Sequence, residues 1–376
     1  MPQLSPQATR SLHANTPLLA ALLPTCKNLN SARNELRWIR EHVWSSTLAP
    51  QFQNIPEAKD NDEKSKNALL HRLCSLRGRG YPLQYILGTQ PFGQLEIKCR
   101  PGVLIPRPET EAWTMHLADI VRKTWRAGKV KKDNDIESNL RILDLCTGSG
   151  CIALLLYSIL NRKFPKMHVR GLDIEPRAVS LAKENLAYNI ERGSLRQRNA
   201  NAVSFEETNI FSTDWLVPVL EQAGLINNLR FKQSELKRGA VDILVSNPPY
   251  ISQEGFDRDT EPSVRDHEPR LALVPEPSAD NSPYATVLPE DVFYARILDV
   301  AKVLQPRFVV LEVGDLAQAV RVVQMARERC RNAKEAEIWR DWPDMKPSEG
   351  EPESVDVAGV TVPVRGGGNG RAVFLR

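Results

Sequence analysis

Apolar positions in the N-terminal part of the chain recur at three- and four-residue steps. Between residues 17 and 48 they are Leu18, Leu19, Leu22, Leu23, Leu29, Leu36, Ile39 and Val43, the spacing of one face of a helix. Leu69, Leu70, Leu73 and Leu76 continue it over residues 63–79, after a polar break at 56–62. The pattern predicts a small helical domain. Between residues 81 and 103 it changes. Gly88, Pro91, Gly93, Pro101 and Gly102 punctuate short runs such as 92–97, as in a hairpin-like linker.

From Arg141 onward short apolar runs alternate with helix-type segments. Strands are expected at 142–145, 168–172, 241–245 and 308–313, and helices at 151–160, 175–187 and 293–304. Such alternation predicts a mostly parallel sheet covered on both faces. Three stretches break the period: 123–139, 221–239 and 346–370. They read as insertions or solvated loops. The first carries Lys129, Lys131 and Lys132, and the last contains Gly366, Gly367 and Gly368.

Composition narrows the function classes. A chain of 376 residues allows two domains at roughly 100–200 residues each. Its 41% apolar and 26% charged residues argue against wholesale disorder. The longest apolar runs, 18–23 and 151–160, fall far short of the roughly 20 residues of a membrane helix. A formal charge of +4 does not demand a polyanion partner, so no membrane and no stable nucleic-acid partner is expected. The six cysteines, at 26, 74, 99, 146, 151 and 330, show no metal-type or disulfide-type spacing, and no metal is expected. The first 34 residues contain Arg10, Lys27 and Arg33 but no Asp or Glu. That acid-poor bias suits an organellar transit segment.

Two segments carry candidate chemistry. Ile142-Leu143-Asp144-Leu145-Cys146-Thr147-Gly148-Ser149-Gly150 is a strand running into a glycine turn that opens a helix. Glycines there let a ligand approach backbone N–H groups. Asp173, at the end of the next strand, can accept both hydroxyls of a ribose. Gly148-x-Gly150-x-x-Ala153 also satisfies a relaxed dinucleotide fingerprint, so a dehydrogenase competes at this point. Asp144 favours a cationic ligand such as the methionine moiety of S-adenosylmethionine, since it would repel a pyrophosphate.

The second segment is Asn247-Pro248-Pro249-Tyr250, just past a buried strand. An amide nitrogen is a poor nucleophile because its lone pair is delocalised. The Asn247 side-chain oxygen and the Pro248 carbonyl supply two acceptors for its N–H bonds. Tyr250 supplies a flat face for a planar amide or base.

Asn247-Pro248-Pro249-Tyr250 is the motif of methyltransferases that act on planar amino nitrogens. Together with Ile105-Pro106-Arg107-Pro108-Glu109-Thr110-Glu111, the turn at 143–150, and Val264-Arg265-Asp266-His267-Glu268-Pro269, it resembles the release-factor glutamine methyltransferases, the HemK/PrmC family, over roughly residues 65–320. The resemblance implies an α/β fold with a Rossmann-like, seven-stranded S-adenosylmethionine-dependent methyltransferase domain and a small helical N-terminal domain. The expected division is 1–87 for a helical substrate-recognition domain with a transit segment at its start, 88–106 for a hairpin linker, and 107–376 for the methyltransferase domain.

The implied reaction is N5-methylation of the glutamine in the Gly-Gly-Gln loop of a peptide chain release factor. The alternatives are an amino-methyltransferase of DNA or RNA bases and a binding module without catalysis. Carried over position by position, Asp144, Cys146, Thr147, Gly148, Ser149, Gly150, Asp173 and Asn247 match cofactor-binding positions. Asn247, Pro248, Pro249 and Tyr250 match the substrate clamp, with Asn247, Pro248 and Tyr250 catalytic, and Arg107 and Glu109 match a loop near the substrate. Cys146 stands where glycine is commonest, a small matter if its φ is negative. Ile210 replaces a tryptophan that flanks the cofactor in some relatives. Relatives with a helical N-terminal domain are bacterial or organellar, which with the acid-poor start implies a mitochondrial enzyme.

Overall fold

Two side-chain caps start the longest helices of the N-terminal region. The Asn28 carboxamide accepts the Ser31 N–H at 2.8 Å, and the Asp62 carboxylate accepts the Ser65 N–H at 3.0 Å; each satisfies a backbone donor that the helix itself leaves unpaired. The computed structural model describes residues 16–45, 48–59, 62–125, 139–196, 202–222, 226–227, 230–231, 240–276, 283–330 and 335–376. The apolar run at 17–48 is two helices, α1 (Pro17–Cys26) and α2 (Leu29–Trp44), separated where Lys27 takes φ +63°. Within the polar break lies a one-turn helix, α3 (Pro56–Lys59), followed by α4 (Glu63–Gly78) and α5 (Leu83–Leu87).

The chain forms two compact units, neither of them one continuous stretch. The first comprises Met1–Gln90, Lys98–Ile105 and Thr260–Pro269. Its core holds Leu22, Ile39, Leu70, Leu73 and Ile86, all nearly inaccessible. Beside it Arg77 grips Glu35 with two bonds, Nε to Oε2 at 2.6 Å and Nη2 to Oε1 at 2.9 Å. The segment Thr260–Pro269 joins this unit because the Glu268 carboxylate accepts the Ile105 N–H at 3.0 Å and His267 packs on Tyr81 with ring centroids 5.1 Å apart.

The hairpin of β1 (Thr89–Phe92) and β2 (Leu95–Lys98) is divided between the units. Phe92, Leu95 and Ile97 are buried in the core of the second unit, and the Glu96 N–H and carbonyl both bond to the Asn189 side chain. That unit comprises Pro91–Ile97, Pro106–Asp259 and Arg270–Arg376. Its elements begin with α6 (Pro108–Thr124), β3 (Arg141–Leu145), α7 (Cys151–Leu160), β4 (His168–Asp173), α8 (Pro176–Glu191), β5 (Val203–Glu207) and α9 (Leu216–Gln222). The two-residue strands β6 (Ile226–Asn227) and β7 (Arg230–Phe231) pair with each other. Then follow β8 (Ile243–Ser246), α10 (Gln253–Arg258), α12 (Val292–Leu304), β9 (Phe308–Glu312), α13 (Leu316–Arg329), β10 (Ala336–Trp342), β11 (Ser354–Val357), β12 (Val360–Arg365) and β13 (Gly367–Leu375). Helix α11 (Pro262–His267) is part of the first unit.

The main sheet runs β11-β12-β10-β13-β9-β8-β3-β4-β5. Its β9-β8-β3-β4-β5 portion is wholly parallel, and β13 is antiparallel to both β9 and β10. Residue alternation sorts each strand between two cores. Ile142, Ile243, Val245, Phe308 and Val310 point to one, with Trp113, Tyr157 and Trp339. Leu143, Leu145, Leu244, Val309 and Leu311 point to the other, with Tyr294, Leu304 and Val322. The expected seven-stranded order is therefore present, with β12 and β11 added at one edge.

Those two strands correct the reading of 346–370 as a solvated insertion. Val357, Val362 and Val364 are buried against the second of these cores. The loop before them is pinned by Glu351, which accepts the Ser348 and Gly368 N–H groups at 2.7 and 3.1 Å, and by Arg340, which donates to the Gly368 and Pro352 carbonyls at 2.8 and 3.1 Å. Glycine is needed at 366 for two reasons. Its φ is +92°, and a Cβ there would lie 2.4 Å from the Trp342 carbonyl oxygen. Residues 126–138, 223–225, 228–229 and 232–239, which hold most of the other two expected insertions, lie outside the described residues. Replacing Gly366 by Ala should destabilise the protein by about 2–3 kcal/mol through backbone strain and the forced shift; urea unfolding would measure it, and an unchanged midpoint would contradict this account of the turn.

Candidate active site

Three strand ends form the floor of the site. In the parallel ladder Leu145 of β3 stands opposite Ser246 of β8, and the Ser246 hydroxyl donates to the Leu145 carbonyl at 2.7 Å. From β3 the chain moves one way to β4 and β5, and later the other way to β8 and β9. The strand order thus reverses between β3 and β8, where the carboxyl ends of an open parallel sheet leave a crevice for a ligand. The two segments singled out in the sequence, residues 146–150 and 247–250, leave the sheet side by side at this place.

The first turn is held from beneath. The Thr147 N–H donates to the Leu172 carbonyl at 3.0 Å, and its hydroxyl donates to Asp144 Oδ2 at 2.6 Å. Asn185 Nδ2 donates to the Ser149 carbonyl at 2.9 Å. Asp173 Oδ2 accepts the Gly148 N–H at 2.8 Å, while Oδ1 accepts the Glu175 N–H at 2.9 Å. Burial raises the Asp173 pKa, and these N–H bonds oppose the rise. A Cβ built at Gly148 would meet no atom within 4 Å, so the turn faces open space.

Asp144 is fully buried. Its Oδ1 has no hydrogen-bond partner among the described residues. Burial pushes its pKa up to about 7; the Thr147 bond and the Ala153 backbone N–H oppose the rise, and the nearby Asp173 charge adds to it. A cation beside this pair of carboxylates would relieve both effects. The residues present therefore fit a ligand with a positively charged end and a ribose.

At Cys146 the condition of a negative φ is not met. Its φ is +59°, in the left-handed region, where a side chain costs roughly 1–2 kcal/mol. Its half-buried thiol offsets part of that cost by packing beside the second core.

In the second segment Pro248 and Pro249 are buried, and Asn247 and Tyr250 half-buried. The Asn247 carboxamide makes no hydrogen bond to the described residues. The backbone around Tyr250 is fixed by the Leu273 carbonyl, which accepts the Tyr250 and Ile251 N–H groups at 3.2 and 2.9 Å, and by Gln318 Nε2, which donates to the Tyr250 carbonyl at 3.1 Å. The Tyr250 hydroxyl donates to Glu312 Oε1 at 3.3 Å. Burial and the Glu312 charge raise its pKa, while Arg371 and Arg107 pull it down.

Glu312, at the carboxyl end of β9, escaped the sequence reading. Its Oε2 accepts the Thr110 hydroxyl at 2.6 Å and the Trp113 indole N–H at 2.7 Å, so the helix following the 105–111 motif is tied to the site. An acidic residue closing an apolar strand, the signal that identified Asp173, was available for it. Arg107 caps α6 and Glu109 lies in its first turn, both half-buried. Glu109 makes no hydrogen bond or ion pair to the described residues. Ile210 is buried in the second core beside Trp215.

A seven-strand order with an antiparallel β13, and a glycine turn beside an Asn-Pro-Pro-Tyr segment at the switch point, define a Rossmann-like methyltransferase. A family model described as "Methyltransferase domain" matches residues 136–217. The chain is 34% identical to the mitochondrial MRF1 N(5)-glutamine methyltransferase MTQ1 of Saccharomyces cerevisiae, over 73% of this chain and 69% of the relative. It is 30% identical to a release factor glutamine methyltransferase of Bifidobacterium longum, over 69% of this chain and 72% of the relative. The chain belongs to the release factor glutamine methyltransferase family, and as such is a protein-(glutamine-N5) methyltransferase. Among solved structures it is similar to the human METTL16 catalytic domain, with 14% identity, a TM-score of 0.41, and coverage of 81% of this chain and 79% of that one.

The backbone at Cys146 yields a test. Cys146→Gly should leave stability within about 1 kcal/mol of wild type, because relief of strain offsets lost packing. Cys146→Val should cost about 2 kcal/mol or more, since a branched side chain is an outlier at this φ. Thermal unfolding compares them, and a valine variant as stable as the glycine one would refute the left-handed geometry.

Proposed function

We propose that this chain transfers the methyl group of S-adenosylmethionine to the side-chain amide nitrogen of the glutamine in the Gly-Gly-Gln loop of a mitochondrial peptide chain release factor. The observation that carries the reading is the pairing of Leu145 with Ser246, which sets a turn suited to the cofactor directly beside a clamp suited to an amide.

When bound, S-adenosylmethionine supplies an electrophilic methyl group on a positively charged sulfur. Asp144 and the turn 146–150 would hold the methionine end, whose ammonium group S-adenosylhomocysteine keeps, and Asp173, oriented by its two backbone N–H bonds, would receive the ribose hydroxyls. Asn247 Oδ1 and the Pro248 carbonyl accept the two N–H bonds of the substrate amide, which directs its nitrogen and keeps electron density on it. Proline at 248 offers a carbonyl with no N–H to compete. Tyr250 forms the flat wall, and Arg107 and Glu109 meet the peptide that carries the glutamine. Once the N–C bond forms, the nitrogen becomes strongly acidic and its proton passes to water, so no buried base is required.

Two features support the mitochondrial and release-factor parts of the reading. The chain's relatives include mitochondrial MRF1 N(5)-glutamine methyltransferases of two yeasts, and the acid-poor start at residues 1–34 suits import. Labelled S-adenosylmethionine offered with either release factor or RNA and DNA should mark only the protein; label in nucleic acid alone would overturn the assignment in favour of a base methyltransferase. In the same assay Asn247→Ala should lower kcat by roughly 10²–10³, the effect of losing one preorganised acceptor, with little change in cofactor affinity. A wild-type rate at saturating cofactor would remove Asn247 from the clamp.

Asp144 adds a pH dependence. Its carboxyl, with a pKa of about 7, must be ionised to attract a cation, so it is protonated and weak below that pH and charged above it. Asp173, Thr147, Cys146, Cys151 and the Ala153 backbone N–H are polar groups around it. Affinity for S-adenosylhomocysteine should rise between pH 6 and 8, by at most about tenfold per unit. Calorimetry on Asp144→Asn should give weaker binding with a flatter profile, and an unaltered profile would assign the titration elsewhere.

A further inference from the structure

Glu312 joins more of the site than any group the chemistry uses directly. Its side chain is 1% exposed. One carboxylate oxygen takes the Tyr250 hydroxyl, and the other takes the Thr110 hydroxyl and the Trp113 indole. Its own main-chain carbonyl accepts the Tyr294 hydroxyl at 2.7 Å, so the strand end that carries it is also held. On the neighbouring strand β13, Ala372 pairs with Glu312. The adjacent Arg371 is anchored to Asp341 at 2.8 Å and to the Val313 carbonyl at 3.3 Å; burial raises the Glu312 pKa, and the Thr110 and Trp113 bonds and the Arg371 charge oppose that rise.

A buried carboxylate without donors would be costly. Here three donors from two separate segments converge on it, an arrangement that fixes those segments relative to each other. One is the Asn-Pro-Pro-Tyr loop, and the other is the first turn and a half of α6. Neither Thr110 nor Trp113 is exposed, so the role open to them is support. The Tyr250 hydroxyl has a different position, on a half-buried residue beside Pro249.

We propose that Glu312 is a positioning residue that holds the Tyr250 ring, and with it the wall against which the substrate amide lies, by accepting the phenol O–H. The inference rests on the reading of residues 247–250 as the amide clamp. The Glu312 carboxylate sets the direction of the phenol, and α6 is drawn into the same bond network, so the 105–111 motif acts on the clamp through Thr110 and Trp113.

The test uses the full chain with Glu312→Gln, Tyr250→Phe and the double variant. Glutamine keeps the shape and can still accept from Thr110 and Trp113, but it presents an NH₂ group to the phenol. Expected for Glu312→Gln is a kcat lower by roughly 10- to 100-fold with S-adenosylhomocysteine affinity within about twofold of wild type. The double variant should be no slower than the slower single one, because both changes act through one contact, reversed in direction by glutamine and removed by phenylalanine. A wild-type kcat for Glu312→Gln, or losses that multiply in the double variant, would overturn the proposal.

A second readout needs no turnover. The ring-carbon NMR signal of Tyr250, assigned from its loss in Tyr250→Phe, should move in Glu312→Gln and also in Thr110→Val, which covers the case in which the glutamine variant fails to fold. An unmoved signal would refute the positioning role. Wild-type protein that shows this shift pattern yet methylates no release factor would refute the functional reading instead.

Discussion

The register that sets Leu145 of β3 opposite Ser246 of β8 is the constraint on which the site depends. It follows from the burial of both strands on both faces: Ile142 and Ile243 face one core, Leu143 and Leu244 the other. A slip of one residue would exchange those faces and expose apolar side chains to the wrong layer. With the register held, the turn after β3 and the loop after β8 leave the sheet as neighbours, and the Ser246 hydroxyl closes the remaining gap. The segments proposed for the cofactor and for the amide therefore lie side by side.

Around that point the protein has placed three acidic side chains at or near the carboxyl ends of β4, β3 and β9. Asp173 and Glu312 are satisfied, the first by two backbone N–H groups and the second by three side-chain donors. Asp144 is satisfied only in part. Burying a carboxyl group is unfavourable unless it is paired, and Asp144 stands in β3 just before the turn expected to hold a cationic ligand. The same physics therefore separates the acids that organise the site from the one available to attract charge.

The C-terminal strands show a different use of polar groups. Arg340, Asp341, Glu351 and Arg371 knit β10, its long connection and β13 together through backbone carbonyls and N–H groups. These ties let β11 and β12 extend the sheet, and they seat Arg371 beside the strand position of Glu312. An excursion far along the chain from the site thus supports its electrostatics.

Much of this was legible in the residues themselves. Helix periodicity marked the N-terminal helices, strand and helix alternation marked the parallel sheet, and Asp144, Asp173, the glycine turn and Asn-Pro-Pro-Tyr were visible because each lies next to its strand in sequence. Local chemistry is readable when the partners are local. Three things were decided by tertiary structure. Cys146 takes a left-handed conformation that its side chain does not favour, imposed by the strand and helix on either side of it. Residues 354–370 became sheet, because Val357, Val362 and Val364 found a core built by distant helices and Gly366 admitted the close passage of Trp342. Glu312 gained its role from Thr110, Trp113 and Tyr250, partners separated from it by 62 to 202 positions, and no spacing rule reaches across that distance.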